Sequence, residues 1–549
     1  MQPIFIGGAW PYANGSLHIG QIAALLPGDV LARYFRQKGH PVLYVSGSDC
    51  HGTPIAVRAA RENRQPGEIA SYYHQEFTTV FDRLGFSYDC YSRTDQPQHA
   101  ELVQEVFLTL LEKDLLEKRS VNQVYCSHCR RFLPDRYVEG RCPRCGAQAR
   151  GDQCDACTGI LDPQELIDPR CKLCGQPTTL RRSEHYFFRL SNFQTSLTRY
   201  LDEVESGYRT NARNETRRYL QEKLPDRAAT RDLDWGIPVP VSGFSGKCIY
   251  VWIDAVLGYL SASRRWSRET GLDWRPFWAD GAQAWYVHGK DNIPFHSLIL
   301  PALLEGYDPG LKKPDHLLSS EYMTLEGRKI STSQNWAIWI LDLLDQVPAD
   351  SIRYFLLSNN PEKRDADFSW PSFLNSHNGE LLGALGNLVN RTLQFIKKYR
   401  DGVTLNEPCD PAIWENIAAS YRDCGGLLEQ GEIKASLERA FKLVRQLNKY
   451  FDQTKPWLTR DDDPNACDQA LATCLHGLAN LSQLLAPFLP FTCQKIRQDL
   501  QLPEPPGWEP VNCPCGRILG DITILFPRLD AGEFGGGALL CDNKAIAVK

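Results

Sequence analysis

The sequence lacks a long hydrophobic run, a strong net charge and an internal repeat. No apolar stretch reaches the roughly 18 residues of a membrane span, and no basic segment precedes an apolar core at the N-terminus. Its 549 residues carry 61 basic and 66 acidic side chains, a net charge of −5, so a polyanion would need a local basic patch. We therefore expect no membrane span, no signal peptide and a cytoplasmic location.

Two nucleotide-binding motifs are also missing. Neither G-x-G-x-x-G nor G-x-x-x-x-G-K-[ST] occurs, which argues against a dinucleotide-dependent dehydrogenase and against a P-loop enzyme. The proportions of 42% hydrophobic and 23% charged residues are those of a folded globular protein and exclude collagen-like, low-complexity and disordered chains. At about 150 residues per domain, the length predicts three or four domains.

The cysteines are concentrated in one segment. Eight of the 19 form four C-x-x-C pairs: Cys126/Cys129, Cys142/Cys145, Cys154/Cys157 and Cys171/Cys174. Two thiolates separated by two residues can bind one tetrahedral ion, and two such pairs complete a structural zinc site. The spacing predicts two zinc ions and leaves three pairings open. Redox dithiols or disulfides are the alternative, but disulfide scaffolds are short secreted chains.

Hydrophobic patterning predicts a parallel sheet on both sides of this segment. A strand at residues 4–6, a helix over 17–37 and a strand at 42–45 form a β-α-β unit. We expect Pro27 to kink or interrupt that helix. Further strands are predicted at 249–254 and 284–288. After about residue 340 the pattern is that of amphipathic helices, followed beyond 500 by an irregular tail.

Segments with unusual chemistry follow the predicted strand ends, where open parallel sheets bind ligands. They are 11–21, 49–53, 252–259 and 289–296, together with a basic, hydroxylated loop at 328–333. Glycines and a helix start in the first segment suit a phosphate group. Taken singly, each segment is a weak signal, because a histidine at a helix start is more often a cap and an aromatic residue is more often core.

Together, in this order, the segments resemble the class I aminoacyl-tRNA synthetases, and within them the methionyl branch. His18-Ile19-Gly20-Gln21 is similar to the H-I-G-H signature, and Lys329-Ile330-Ser331-Thr332-Ser333 to the K-M-S-K-S loop. The strings P-Y-A-N-G, D-x-H-G-T-P-I, Y-V-W-I-D-A and G-K-D-x-x-x-F-H-S separate this branch from valyl, leucyl and cysteinyl relatives. The resemblance runs from about residue 4 to about 500, and the cysteine segment is similar to the connective peptide of the branch.

The resemblance implies an α/β fold: a Rossmann-like, parallel-sheet catalytic domain with an inserted zinc-knuckle connective domain, then an all-α anticodon-binding bundle. We expect the catalytic halves at 1–114 and 229–320, the connective peptide at 115–228, a signature-loop and stem-contact region at 321–380, the bundle at 381–500 and the tail at 501–549. No appended oligonucleotide-binding domain is recognised, so a monomer is expected.

The implied activity is that of a methionine–tRNA ligase. Such an enzyme activates L-methionine with ATP and Mg²⁺ to methionyl-adenylate, then charges tRNA(Met) for initiation and elongation. The alternative is a synthetase-like paralogue that makes an aminoacyl-adenylate, or binds RNA, without charging tRNA.

The resemblance also assigns residues to roles. The catalytic set is His18, Gln21, Lys329 and Thr332. The ATP-binding set is His18, Gly20, Gln21, Arg231, Gly289, Asp291, Lys329 and Thr332. The amino-acid-binding set is Trp10, Tyr12, Asp49, Trp252, Ala255, Tyr259 and His296, with Asp49 as acceptor for the methionine ammonium. The metal ligands are the eight paired cysteines, and the anticodon is assigned to Asn387, Arg391, Pro456 and Trp457.

The sequence departs from the family pattern at four of these places. Gln21 stands where the second histidine is usual, and Thr332 where the second lysine of the loop is usual. Trp10 replaces a common leucine, and Asn292 a common aliphatic residue. Gln21 keeps an amide donor but loses any possible positive charge. We interpret Thr332 as tolerated, with Lys329 and Arg328 left to supply the charge at the loop, and the changes at Trp10 and Asn292 as bearing on side-chain specificity.

Overall fold

The computed structural model describes residues 1–133, 137–151, 154, 161, 163–504 and 507–530. The N-terminal part alternates strands and helices, as the β-α-β pattern predicts. Its elements are β1 (Ile4–Gly8), α1 (Ile19–Gln37), β2 (Val42–Ser48), α2 (Thr53–Glu62), α3 (Pro66–Leu84), β3 (Cys90–Arg93) and α4 (Pro97–Glu112).

We expected Pro27 to kink or interrupt helix α1, and the helix passes through Pro27 without interruption. A proline has no N–H for the carbonyl four residues earlier, which here belongs to Ala23. That carbonyl accepts a hydrogen bond from the Asn360 side chain at 2.8 Å instead. The helix continues because a distant residue satisfies the carbonyl oxygen that the proline leaves free.

The inserted segment is built on a long antiparallel ladder. Its elements are β4 (Leu116–Cys126), β5 (Arg131–Phe132), β6 (Val138–Arg141), β7 (Gln148–Arg150), β8 (Ile167–Cys171), β9 (Thr179–Phe188), α5 (Gln194–Val204), α6 (Thr210–Gln221) and β10 (Arg227–Ala228). Strands β4 and β9 pair along ten positions, from Leu116 opposite Phe188 to Tyr125 opposite Thr179. Cys126 ends β4 beside the Tyr125–Thr179 end of the ladder, and Cys171 ends β8.

The chain then returns to the parallel sheet. It adds β11 (Thr230–Arg231), β12 (Cys248–Ile249), α7 (Val251–Thr270), β13 (Gln283–Gly289), α8 (Leu300–Tyr307) and β14 (His316–Ser320). The predicted strand at 249–254 is wrong, because α7 begins at Val251. Residues 253–263 of this helix are all buried, so its sequence has no polar face and cannot be distinguished from a buried strand by periodicity.

The central sheet has the strand order β14-β13-β1-β2-β3, with all neighbouring strands parallel. Strand β1 lies at the centre, and its Ile6 stands opposite Trp285 on one side and Tyr44 on the other. Chain order runs outward from β1 in one direction and then resumes on its other side. The carboxyl ends of β1 and β13 therefore form the switch point at which open α/β sheets bind ligands.

The remaining chain is mainly helical. Its elements are β15 (Met323–Leu325), β16 (Arg328–Lys329), α9 (Ile340–Leu344), α10 (Ala349–Ser358), β17 (Ala366–Phe368), α11 (Trp370–Asn375), α12 (Asn387–Tyr399), α13 (Pro411–Glu429), α14 (Ile433–Thr454), α15 (Pro456–Asp462), α16 (Pro464–Leu484) and α17 (Pro490–Asp499). A fully buried ion pair between Asp29 of α1 and Arg353 of α10 joins the sheet domain to this part. Across the described ranges, each helix is too short or too polar to cross a bilayer.

Candidate active site and cysteine clusters

A cavity of about 510 Å³ opens at the carboxyl ends of the central strands. It brings together every residue predicted for methionine and all but one of those predicted for ATP or catalysis: Trp10, Tyr12, His18, Gly20, Gln21, Asp49, Trp252, Ala255, Tyr259, Gly289, Asp291, His296, Lys329 and Thr332. The exception is Arg231, which lines a neighbouring cavity of about 620 Å³. Tyr12 and Trp252 line both cavities.

Asp49 lies just beyond β2 at one end of the cavity. Its backbone N–H donates to the carbonyl of Pro11 at 2.9 Å, and its carbonyl accepts from Ala13 at 2.8 Å. Its Oδ1 accepts the backbone N–H of His51 at 3.1 Å, whereas Oδ2 has no partner among the described residues. Burial, reinforced by the Asp254 carboxylate, raises the pKa of Asp49 well above its usual value. A buried acid with a free oxygen suits a cationic ligand.

Asp254 forms a buried network behind Asp49 that sequence reasoning missed. His51 Nδ1 lies 2.7 Å from its Oδ2, and His99 Nε2 lies 2.7 Å from its Oδ1. Despite burial, the two histidines hold the pKa of Asp254 below its usual value. Burial opposes a charge on His51, but Asp254 raises the pKa of His51 overall. The sequence offers no spacing signal, because the partners are 203 and 155 residues apart.

One wall of the cavity is aromatic, and two of its polar side chains, Tyr259 and His296, bond to each other. His296 Nδ1 donates to the carbonyl of Asn292 at 2.9 Å, so its Nε2 accepts from the Tyr259 hydroxyl at 2.8 Å. Burial lowers the pKa of His296 to about 4, which leaves the ring neutral near pH 7. Trp252 stacks on Phe295 with ring centroids 4.0 Å apart. Such a wall suits a polarisable group without hydrogen-bonding atoms.

Trp10 fits into a slot made by two glycines. A Cβ at Gly258 would lie 2.7 Å from the Trp10 ring, and a Cβ at Gly47 would overlap it. The ring packs edge-on against Tyr259 with centroids 6.2 Å apart. The tryptophan that replaces the usual leucine is therefore accommodated by missing side chains at Gly47 and Gly258.

His18 and Gln21 cap the N-terminus of α1 reciprocally. His18 Nδ1 accepts from the backbone N–H of Gly20 at 3.2 Å, and Gln21 Oε1 accepts from the backbone N–H of His18 at 3.0 Å. Because Nδ1 accepts, the ring proton lies on Nε2. Burial lowers the pKa of His18 to about 4, so a neutral donor faces the cavity. In this capping box, the amide oxygen of Gln21 has a structural role as the acceptor for the backbone N–H of His18.

The opposite end of the cavity carries exposed charges. Lys329 ends β16, and its Nζ lies 5.1 Å from the ring centroid of Tyr322. Lys290 Nζ lies 3.9 Å from the same ring, and the Tyr322 hydroxyl donates to Asp291 at 2.5 Å. Tyr322 was not among the predicted site residues. Its ring faces both lysine ammonium groups, as in cation–π contacts. Thr332 is exposed and begins a short 3₁₀ turn.

Arg231 ends β11 outside this cavity. Its guanidinium lies 4.1 Å from the ring centroid of Tyr250, and Nη1 donates to the carbonyl of Thr230 at 3.0 Å. These contacts place its charge in the neighbouring cavity, beside Tyr12 and Trp252. In this conformation Arg231 is not grouped with the other predicted ATP residues.

The structure selects one of the three possible cysteine pairings. The outer pairs form one group, Cys126, Cys129, Cys171 and Cys174, whose sulfurs lie within 4.8 Å of one another. Opposed sulfurs there are 3.5 and 3.9 Å apart, against about 3.8 Å for tetrahedral thiolates at a Zn–S distance of about 2.3 Å. Cys142, Cys145 and Cys154 form a second group. Cys157 lies outside the described residues.

The four predicted anticodon residues lie on α12 and α15, and Phe451 of α14 packs against both Arg391 and Trp457. Asn387 is exposed at the start of α12, and Arg391 packs over Phe451 at 4.2 Å. Arg391 also pairs with Asp452 at 2.7 Å. At the start of α15, Pro456 is buried and Trp457 is 44% exposed. The exposed ring decides against a core role for Trp457.

Comparison with known proteins identifies the family. The family model for class I tRNA synthetases (M) matches residues 4–393, and the model for the anticodon-binding domain of tRNA ligases matches 410–512. Methionine–tRNA ligase 1 of Alkaliphilus oremlandii is 52% identical over 96% of this chain and 97% of its own length. The chain belongs to the methionyl-tRNA synthetase family. Methionine–tRNA ligase of Bacillus cereus is 53% identical with the same coverage.

Solved methionyl-tRNA synthetases share the fold. Two structures from Mycobacterium tuberculosis, both with methionyl-adenylate, match with TM-scores of 0.80 and 0.79 at 23% and 24% identity. They cover 96% of this chain and 100% of their own. The predicted family, fold class and enzyme class of a methionine–tRNA ligase are therefore confirmed, and the comparisons do not support the non-charging paralogue.

Proposed function

We propose that the protein activates L-methionine with ATP to methionyl-adenylate, releases diphosphate, and transfers the methionyl group to a ribose hydroxyl of the terminal adenosine of tRNA(Met) with release of AMP. In the first step a methionine carboxylate oxygen bonds to the α-phosphorus while the bond from that phosphorus to the bridging β-oxygen breaks. The observation that carries the proposal is the single cavity in which the predicted amino-acid and nucleotide residues converge. Holding both reactants in one crevice supplies much of the rate enhancement.

At the amino-acid end, Asp49 accepts the methionine ammonium through its free Oδ2. The thioether enters the aromatic pocket formed by Trp10, Tyr259 and His296, with Tyr12, Trp252 and Ala255 completing its wall. Because Tyr259 and His296 bond to each other, neither of these two groups is left to bind a polar side chain. This arrangement favours a thioether over an isosteric polar group.

At the nucleotide end, neutral donors and cations meet the phosphates. His18 donates from Nε2 toward the α-phosphate, and the helix start at Gly20 adds a partial positive charge. Lys329, with Arg231 after a change in its conformation, balances charge on the departing diphosphate. Gly289 and Asp291 contact the ribose, and Mg²⁺ accompanies ATP as part of the substrate. Thr332 offers a hydroxyl where the family usually has a lysine.

Exchange of diphosphate into ATP, followed by tRNA charging, tests this function. We expect methionine-dependent exchange and accumulation of methionyl-tRNA. Exchange without charging would favour the adenylate-making paralogue, and the absence of both activities would favour an RNA-binding module.

We further propose that the two cysteine groups each hold a structural zinc ion. The four-sulfur group supplies the donor chemistry and the spacing that tetrahedral zinc requires. Cys157 is the fourth ligand of the second site. Metal analysis is expected to find about two zinc ions per chain, and Cys126→Ser is expected to lower that content by about one. A fully active preparation without metal would contradict the assignment.

We propose that Asn387, Arg391, Pro456 and Trp457 contact the anticodon. The exposed Trp457 ring can stack on an unpaired base, a contact worth about 1–3 kcal/mol. Trp457→Ala is therefore expected to raise the KM for tRNA about 5- to 150-fold while leaving diphosphate exchange unchanged. An equal loss in both assays would show a structural role instead. We place the enzyme in the cytoplasm and propose that it acts as a monomer.

A further inference from the structure

One buried carboxylate joins the elements that surround the amino-acid end of the cavity. Asp254 lies in the first turn of α7, His51 follows β2, and His99 lies in the first turn of α4. The side chains of these three residues are 0%, 7% and 2% exposed. Because both Asp254 oxygens are hydrogen-bonded at 2.7 Å, α7 cannot shift relative to either histidine without breaking a charge-assisted bond.

Each histidine partner of Asp254 also contacts a residue that lines the cavity. The backbone N–H of His51 donates to Asp49 Oδ1 at 3.1 Å, which orients the free Oδ2. The His99 ring lies nearly parallel to Trp10 with centroids 6.4 Å apart. On α7 itself, Trp252 and Ala255 flank Asp254 in the sequence and line the cavity.

Stability alone is a poor reason for this arrangement. Burying a carboxylate and an imidazolium costs desolvation energy that their mutual attraction only partly returns, and apolar side chains of similar volume often serve as well. A hydrogen-bonded charge does fix geometry, because its partners are restricted to short distances and narrow angles. The network therefore suits a site in which α7, His51 and His99 must keep fixed positions relative to one another.

We propose that Asp254 is a positioning residue that sets the distance between the ammonium contact at Asp49 and the side-chain pocket on α7. It acts through His51 and His99 and does not itself line the cavity. The proposal rests on the proposed function of Asp49. Within that function, Asp254 is the group that keeps the two halves of the amino-acid site at a fixed distance from each other.

Asp254→Asn tests the proposal with little change in volume. Its amide oxygen can accept from one histidine, but its NH₂ group faces the other. Since misplacement by about 1 Å can cost about 100-fold, we expect the KM for methionine in diphosphate exchange to rise about 10- to 100-fold. The KM for ATP should stay within about twofold. Unchanged constants, or a parallel rise in both with a lowered melting temperature, would overturn the proposal.

Ser261→Ala is the matched control. Ser261 bonds the far side of His99 at 2.7 Å and also donates to the carbonyl of Gly258, yet it makes no contact with Asp254. The control should keep the KM for methionine within about twofold of the wild-type value. A rise equal to that of Asp254→Asn would show that any loss of buried bonding has the same effect, and would overturn the specific role of Asp254.

His99→Phe keeps the test decisive if Asp254→Asn does not fold. This change removes one bond to Asp254 but leaves a ring beside Trp10. We expect a selective rise of about threefold or more in the KM for methionine; no rise would overturn the proposal. Methionine-dependent exchange by the wild-type enzyme is measured in the same assay, and its absence would instead overturn the proposed function and this inference with it.

Discussion

The two ends of the cavity are built in opposite ways. At the amino-acid end, Asp49 is 2% exposed and Tyr259 is 1% exposed, and their contacts are short bonds to fixed protein groups. At the nucleotide end, Lys329 and Thr332 are exposed, and Lys329 is held by the face of an aromatic ring. In the proposed function, the buried end is preorganised for the amino acid, whereas the exposed charge at the open end can follow the phosphates as bonds change.

Asp49→Asn should have the largest effect because it removes the charge at the buried end. The asparagine keeps the acceptor for His51 but cannot pair with an ammonium ion. Losing one partner of a buried charge pair costs about 2–5 kcal/mol, so we expect the KM for methionine to rise about 30- to 4,000-fold. Diphosphate exchange measures the change, and an unaltered melting curve verifies the fold. A rise below about threefold would remove Asp49 from the ammonium site.

Lys329→Gln should have a smaller effect, confined to the open end. Hydrogen bonds to charged groups contribute about 1.5–3 kcal/mol, which predicts a loss of about 10- to 150-fold in kcat/KM for ATP. The KM for methionine should not change. Arg328→Gln is the matched control, since Arg328 packs over Trp336 at 4.2 Å and should lose less. A variant that mainly raises the KM for methionine, with little change in kcat/KM for ATP, would contradict the division between the two ends.

The pH dependence of methionine binding should be the smallest of these effects. Burial and the Asp254 charge raise the pKa of Asp49, and a protonated Asp49 cannot pair with an ammonium ion. Binding therefore releases a proton, so the dissociation constant should fall as the pH rises toward the raised pKa of Asp49, by up to about tenfold per pH unit, and should level off above that pKa. Equilibrium titration with methionine at several pH values measures this dependence, and Asp49→Asn is the control that should show none. Affinity that weakens as pH rises would contradict the assignment.

Local patterns predicted much of the fold, and the family resemblance named most of the residues that line the cavity. The strand at 284–288, the helix after His18 and the cysteine spacing each depend on near neighbours, and the structure has them. The strand at 249–254 was wrong because a helix buried on nearly all sides has no polar face. Pro27 does not interrupt α1, because Asn360, far along the chain, satisfies the free carbonyl of Ala23.

Long-range partnerships could not be predicted in this way. The pairing of outer with outer cysteines depends on the β4–β9 ladder, which brings Tyr125 opposite Thr179. The bond between His99 and Asp254 spans 155 residues, and neither residue has a local pattern that indicates the other. The resemblance predicted a role for Asp49, and the structure shows the His51 and Asp254 contacts behind it.

A crystal structure with a non-hydrolysable analogue of methionyl-adenylate tests the contrast between the two ends most directly. We expect the ammonium about 3 Å from Asp49 Oδ2, the thioether between Tyr259 and His296, and the ribose beside Asp291. The Asp254 bonds should remain as they are, while Lys329 should leave Tyr322 for the phosphate. An ammonium remote from Asp49, or an amino-acid end that rearranges while Lys329 stays in place, would contradict this account.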